Sequence, residues 1–339
     1  MQDKIKQLIS DAQKIVVIQA DNPDADSLGS ALALEHILGD LGKDVALYCG
    51  VDMPGYLQYL AGWDRVQKDL PHKFDLSIIV DASTYTLLEK LEETHEMNWL
   101  KTKPNIVLDH HTNVEKPIDF AAVLLCDNQV ASTGELVFSL AKTFDWAVNV
   151  EASEAIMASI LGDTQGLMND LTKASTYRVM ADLVELGANR PRLEELRREQ
   201  SKMPEIIYKY KGSLLGRTEF ALDGSIAYVT IPQDEINEFS PLYNPGPLVQ
   251  FDMLQVTGVR LAVVFKTYDD GKITAALRAN AGSGIAGELA EHMGGGGHPF
   301  ASGFKITNGK PFNEVKSECL RYATELFTKL NQDQSHETV

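Results

Sequence analysis

The sequence predicts an α/β protein: a parallel sheet covered by helices, followed by a smaller mixed α/β domain. Three observations lead there. Short β-branched apolar runs alternate with segments of helical spacing. Each run is apolar almost without interruption, as strands buried on both faces are. Beyond about residue 210 the texture changes, and strand-like runs lie close together, two of them joined by the turn signature Asp269-Asp270-Gly271.

Residues 14–18 (Lys-Ile-Val-Val-Ile) read as the first buried strand. Asp21-Asn22-Pro23-Asp24-Ala25-Asp26 has the composition of a loop. Residues 27–41 carry apolar side chains at helical spacing (Leu28, Ala31, Leu32, Ile37, Leu38, Leu41) and stop at Gly42. Further strands are expected at 45–48, 76–80, 106–108 and 123–126, and helices at 132–140, 151–161 and 175–186. The charged stretch 189–211 predicts one connecting helix between a first domain, 1–188, and a second, 212–330, with strands at 226–231, 259–265 and 272–277. Residues 331–339 are expected to form a polar tail.

The chain has 339 residues, 44% hydrophobic and 23% charged, an ordinary globular mix. No apolar run approaches a membrane span, and Met1-Gln2-Asp3-Lys4 lacks a signal-peptide layout, so a cytoplasmic protein without membrane association is expected. Cys49, Cys126 and Cys319 are far apart, with no CxxC pair; they predict inert buried thiols rather than a disulfide framework or a cysteine zinc site. A net charge of −17 argues against a partner such as long duplex nucleic acid, which needs a basic face. It suits carboxylates that hold divalent cations and a small phosphorylated substrate.

In a parallel sheet, ligands bind beyond the carboxyl ends of the strands. Three expected strands lead there into titratable groups: the loop with Asp24 and Asp26, then Asp81, then Asp109-His110-His111. Gly162-Asp163-Thr164 closes a helix. Singly, each motif reads as a helix cap or a surface histidine. Together they form a ligand set suited to Mn²⁺, Mg²⁺ or Fe²⁺. Asp24 and Asp26 can face different ions, and Asp81 can bridge them. Two such ions about 3.5–4 Å apart clamp a phosphoryl group for in-line displacement.

Near the C-terminus, Gly294-Gly295-Gly296-Gly297 is poor material for helix or strand but lets backbone approach an anion closely. His298 follows, and Arg278 ends a strand, where its guanidinium can fork onto a phosphate. Gly282-Ser283-Gly284-Ile285-Ala286-Gly287 fits a dinucleotide fingerprint, yet no acidic residue stands about 20 positions on and no βαβ unit is completed. Tyr56 and Tyr59 are expected in the core.

The ordered set Pro23-Asp24-Ala25-Asp26-Ser27-Leu28-Gly29-Ser30, Val80-Asp81-Ala82-Ser83, Asp109-His110-His111 and Gly162-Asp163-Thr164 resembles the DHH phosphoesterase family. Gly294 to His298 and Ala301-Ser302-Gly303 resemble the DHH-associated C-terminal domain. The resemblance runs from about Lys14 to Phe304 and is nearest to the short cytosolic nanoRNase and pAp phosphatase-like branch. It implies a metal-dependent phosphodiesterase or phosphatase that hydrolyses short oligoribonucleotides, linear dinucleotides (pApA) or pAp by attack of a metal-bound hydroxide. It implies two divalent ions, foremost Mn²⁺ with Mg²⁺ as the alternative, on Asp24, Asp26, Asp81, His110 and Asp163. Asp109 would orient the histidines, and His111 would stand beside the phosphate. Arg278, Gly295, Gly296, Gly297, His298 and Ser302 would hold the short nucleotide, in a chain for which a homodimer is allowed. The family's first motif begins with a histidine where this chain has Ala20, which puts one ion's occupancy in question; Asp21 is the neighbour that could substitute. A nucleotide-binding regulator without full catalysis and a single-strand exonuclease of the RecJ kind are the alternatives.

Overall fold

Alternate residues of the apolar runs feed two different cores, which is why the runs are apolar throughout. In the first strand Ile15 and Val17 join one cluster, while Val16 and Ile18 join the other. The computed structural model describes residues 1–111, 116–240, 243–280 and 282–336. They divide into two units, Met1–Lys202 and Met203–Val339.

The first unit contains, in chain order, α1 (Gln2–Asp11), β1 (Lys14–Ile18), α2 (Ala25–Asp40), β2 (Asp44–Tyr48), β3 (Val66–Gln67), β4 (Leu76–Val80), α3 (Glu89–Glu93), α4 (Glu96–Leu100), β5 (Asn105–Asp109), β6 (Val123–Cys126), α5 (Thr133–Phe144), α6 (Val150–Asp163), α7 (Ala174–Glu185) and α8 (Arg190–Gln200). Its sheet has six strands in the order β3-β2-β1-β4-β5-β6. Every pairing is parallel. The strand order reverses between β1 and β4, the switch point at which open α/β sheets leave a crevice. On one face α2, α5 and α6 pack through Leu28, Leu32, Val137 and Ile156. Leu91, Met97 and Leu100, from α3 and α4, cover the other.

Helices α2 and α6 come very close because small residues face each other. A Cβ on Gly29 would lie 2.5 Å from the Ala155 carbonyl oxygen and 3.0 Å from Ser159 Cβ.

The second unit contains α9 (Glu205–Gly216), β7 (Glu219–Ala221), β8 (Ile226–Ile231), α10 (Gln233–Phe239), α11 (Pro245–Leu254), β9 (Leu261–Thr267), β10 (Ile273–Ala279), α12 (Ala286–His292), β11 (Gly296–His298), β12 (Ala301–Ile306) and α13 (Phe312–His336). Its mixed sheet runs β11-β12-β10-β9-β8-β7, with only β8 and β9 parallel. Because β10 is antiparallel to both neighbours, the dinucleotide-like glycines after it have no βαβ context.

Four expectations need correction. The connecting helix is two helices, α8 and α9, interrupted at Ser201–Pro204; proline disfavours helical backbone at the residue before it. The tail boundary at 330 falls inside α13, which continues to His336. Residues 337–339 lie outside the described ones. Gly296–His298 is a strand despite its glycines, paired antiparallel with β12. Glycine is required by close approach: a Cβ on Gly295 would collide with the Gly303 carbonyl oxygen, and one on Gly297 (φ +136°) would meet Ser302 Cα at 2.6 Å. Cys126 is exposed, although Cys49 and Cys319 are buried as expected. Among the described residues, no helix is long and apolar enough to cross a membrane.

Gly29→Ala should destabilise the first unit by roughly 1–3 kcal/mol through overpacking of α2 on α6. Urea denaturation checks this; a variant as stable as the parent would mean that the two helices are not in such contact.

Candidate metal centre

The loops leaving β1, β4 and β5 converge with the end of α6. Asp26 lies in the first turn of α2 and is fully buried. Its Oδ1 accepts from Ser30 Oγ (3.0 Å), Ser159 Oγ (2.6 Å) and Gly134 N (3.1 Å); its Oδ2 accepts from Thr133 N (2.8 Å). The α5 N-terminus therefore aims two N–H donors at this carboxylate. Ser30 and Ser159 escaped the sequence reading. The one signal was spacing, since Ser30 stands one helical turn after Asp26.

Asp81 follows β4 with φ +56°, a left-handed conformation that aspartate tolerates better than most residues. Its backbone N–H donates to the Leu108 carbonyl (2.9 Å), and Thr133 Oγ1 donates to its Oδ1 (3.3 Å). Burial, then the charges of Asp26 and Asp24, push its carboxyl well above the usual range. Asp163 closes α6, and burial raises its carboxyl to about 6, against the lowering effect of His110.

His110 is buried, with Nε2 2.9 Å from Asp163 Oδ2, 3.5 Å from Asp26 Oδ2 and 3.7 Å from Asp81 Oδ1. Yet among the described residues Nε2 makes no aligned hydrogen bond. A buried ring nitrogen at ion-pair distance from carboxylate oxygens, but with no aligned hydrogen bond to them, is arranged as a metal ligand is. Two groups of ligand atoms lie within 4.8 Å of one another: Asp26, His110 and Asp163, and Asp81, His110 and His111. A divalent cation fits this donor set of carboxylates and imidazole.

Asp109 does not reach into that ring of oxygens. Its Oδ1 accepts from His110 N (2.7 Å), His111 N (3.0 Å) and His111 Nδ1 (2.8 Å), and its Oδ2 from Ser83 N (2.8 Å). Burial alone would raise its carboxyl; the hydrogen bonds from His111 and Ser83 outweigh that and lower it. An ionised Asp109 makes Nδ1 of His111 the protonated nitrogen. The half-exposed His111 ring stands at the rim, Nδ1 3.4 Å from Asp81 Oδ1.

Asp24 stays outside both ligand groups. It is the N-cap of α2, with Oδ1 accepting from Ser27 N (2.9 Å). Asp21, the neighbour of Ala20, accepts from Lys90 N (2.8 Å) through its Oδ2. Ala20 itself is packed among Val16, Ile18 and Tyr48.

In the second unit Arg278 and Ser302 line a cavity of about 260 Å³ together with Gln250 and Lys266. Ser302 Oγ donates to the Ala286 carbonyl (2.6 Å). Gly295, Gly296, Gly297 and His298 are exposed and do not line it.

Residues 14–162 match the model described as DHH family, N-terminal domain, and residues 248–329 match that of the DHHA1 domain. The bifunctional oligoribonuclease and PAP phosphatase NrnA of Bacillus subtilis is 26% identical over 310 residues, covering 90% of this chain and 93% of that protein. Among solved structures, an exopolyphosphatase-related protein from Bacteroides fragilis superposes with a TM-score of 0.78 at 21% identity, over 96% of this chain and 97% of the other. Exonuclease RecJ bound to manganese gives a TM-score of 0.54 at 18% identity, over 95% and 93%.

The proton affinities of this cluster predict an unusual pH response. Asp81, Asp163, His110 and His111 all have raised values in the fold. Each takes up a proton more readily folded than unfolded, so its contribution to stability is lost as pH rises, through about 6 for Asp163. Asp109, which is lowered, works the other way, but only below the ordinary carboxylate range. Metal-free protein should therefore lose thermal stability as pH rises through about 6, and a saturating divalent ion should cancel the loss. Melting curves with and without chelator measure this; a Tm that climbs through that pH in chelator contradicts it.

Proposed function

Because the chain belongs to the DHH family and joins its N-terminal domain to a DHHA1 domain, we propose that it hydrolyses phosphoester bonds in short oligoribonucleotides, linear dinucleotides such as pApA, and pAp. The chain is a metal-dependent hydrolase acting on phosphoester bonds. The observation that carries the reading is the buried, unbonded Nε2 of His110 among three carboxylates. The relative whose name joins oligoribonuclease and PAP phosphatase is matched along nearly its whole length, which supports the substrate class.

In this reading Asp24, Asp26, Asp81, His110 and Asp163 hold two divalent ions, and the ligand atoms of Asp26, His110 and Asp163 already lie within 4.8 Å of one another. Mn²⁺ suits a mixed carboxylate and imidazole set. When bound, a divalent ion supplies Lewis acidity, which makes water more acidic and offsets charge on phosphoryl oxygens. The chain's own residues do the rest. The α5 N-terminus and two serines fix Asp26, so this carboxylate needs no reorganisation during turnover. Asp109 fixes the His110 and His111 backbones and the His111 tautomer. His111, half-exposed at the rim, stands where it can donate a hydrogen bond to a phosphate. Arg278, whose guanidinium makes no hydrogen bond or ion pair with the described residues, is the cation offered to the nucleotide's terminal phosphate, beside Ser302 and the glycine-rich edge up to His298. A cytoplasmic location belongs to the same proposal.

Purified protein with Mn²⁺ should release mononucleotide from pApA and short RNA, and phosphate from pAp. Asp81→Asn should cut the rate by on the order of 10²–10³-fold. Wild-type protein that releases nothing from any of the three overturns the reading. Asp109→Asn should cost about 10–100-fold in metal affinity or activity, because it loosens both histidines without removing a ligand. Calorimetric titration with Mn²⁺ checks it; unchanged affinity together with unchanged activity would remove Asp109 from the orienting role.

A further inference from the structure

The first unit carries a cavity of about 620 Å³, within the size range of nucleotide-sized ligand sites, whose wall includes chain neighbours of Asp24, Asp26 and Asp163. Building on the phosphoesterase reading, we propose that it seats the nucleoside on the far side of the scissile phosphate: the base and ribose that a dinucleotide has and pAp lacks.

Position is the first argument. Ala25 and Gly162 form part of the cavity wall. Ala25 stands between Asp24 and Asp26, and Gly162 precedes Asp163. The two touch so closely that a Cβ on Gly162 would lie 2.7 Å from that of Ala25. Only a methyl group and a glycine thus separate the cavity from the ligand-bearing backbone.

The lining is the second. Tyr56, expected in the core, is instead 59% exposed. It sits in a short 3₁₀ turn, Gly55–Leu57, and its hydroxyl donates to the Pro23 carbonyl (3.0 Å), which pins the ring to the loop before Asp24. Met168, also on the lining, is 82% exposed. An aromatic face and a polarisable thioether left open to solvent suit a base, which stacks regardless of its identity.

Charge is the third. Arg190, Arg197 and Arg198 line the cavity against the single carboxylate of Glu194, in a chain of net charge −17. Arg197 and Arg198 share that carboxylate at 2.8 Å each, and Arg190 makes only a long contact of 3.4 Å with the Gly166 carbonyl. A net positive wall suits the phosphate-bearing side of a nucleotide.

Strain is the fourth. Gln165, Gly166 and Leu167 have φ of 52°, 77° and 72°, three left-handed residues in succession. Thr164 Oγ1, accepting from Leu167 N (3.0 Å), and Asn169 Nδ2, donating to the Asp163 carbonyl (2.7 Å), hold this loop in place. Strained non-glycine backbone concentrates at functional sites, and here it shapes the cavity directly after a ligand.

The test compares two substrates in one enzyme. Initial rates with Mn²⁺ are measured on pApA and pAp for wild type, Tyr56→Ala, Tyr56→Trp and Met168→Ala. In Tyr56→Ala the ratio of kcat/KM for pApA to that for pAp should fall about tenfold, through KM for pApA, and Tyr56→Trp should keep it. A defect in folding depresses both substrates alike and leaves the ratio where it was. That outcome, in Tyr56→Ala and Met168→Ala alike, overturns the assignment. Wild-type protein that hydrolyses neither substrate defeats the phosphoesterase reading instead.

Discussion

Carboxylates taken out of water repel one another unless a cation or a proton stands between them. Asp26, Asp81 and Asp163 bring oxygens to within 3.7 Å of one imidazole nitrogen, and the side chains of Asp26 and Asp81 are almost entirely buried. Burial and the neighbouring carboxylates raise the proton affinities of Asp81, Asp163 and both histidines together. A divalent ion resolves the same conflict without protons. Folding of the first unit and metal uptake are thereby coupled.

The surrounding architecture keeps these groups together. The parallel strand order reverses between β1 and β4, so the loops after both strands open into one crevice. Small residues let α2 and α6 close on each other, bringing Ser159 to Asp26. The α5 N-terminus supplies the remaining donors. Removing a methyl-sized allowance at Gly29, or a donor at Gly134, therefore acts on Asp26 as well as on packing. The groups proposed to meet substrate, such as Tyr56, Met168 and His298, are exposed and lie outside this frame, where packing imposes little.

Much of this was legible in the sequence. Each strand of the first sheet contains a run of apolar residues, interrupted in β4 by Ser77, except the two-residue β3, which has too little chain to carry a pattern. The cluster was legible too, because Asp26, Asp81 and Asp109-His110 follow helix or strand boundaries. Asp24 carries two uses in the sequence, because aspartate serves equally well as an N-cap and as a metal ligand; its Oδ1 caps α2. Tyr56 was misread because aromatic and leucine neighbours resemble core whether or not a chain covers them. β11 was hidden because glycine disfavours strands, and the close backbone of Ser302 that demands glycine at position 297 is a tertiary fact. The break between α8 and α9 rests on Pro204, which a charged, helix-prone stretch concealed.

The account rests on a cation seated against Nε2 of His110. Anomalous diffraction from crystals grown with Mn²⁺, recorded near the manganese edge, addresses that directly. The account predicts a strong peak bounded by Asp26, Asp81, His110 and Asp163. A map with no peak there, or with manganese confined to other side chains, would contradict it.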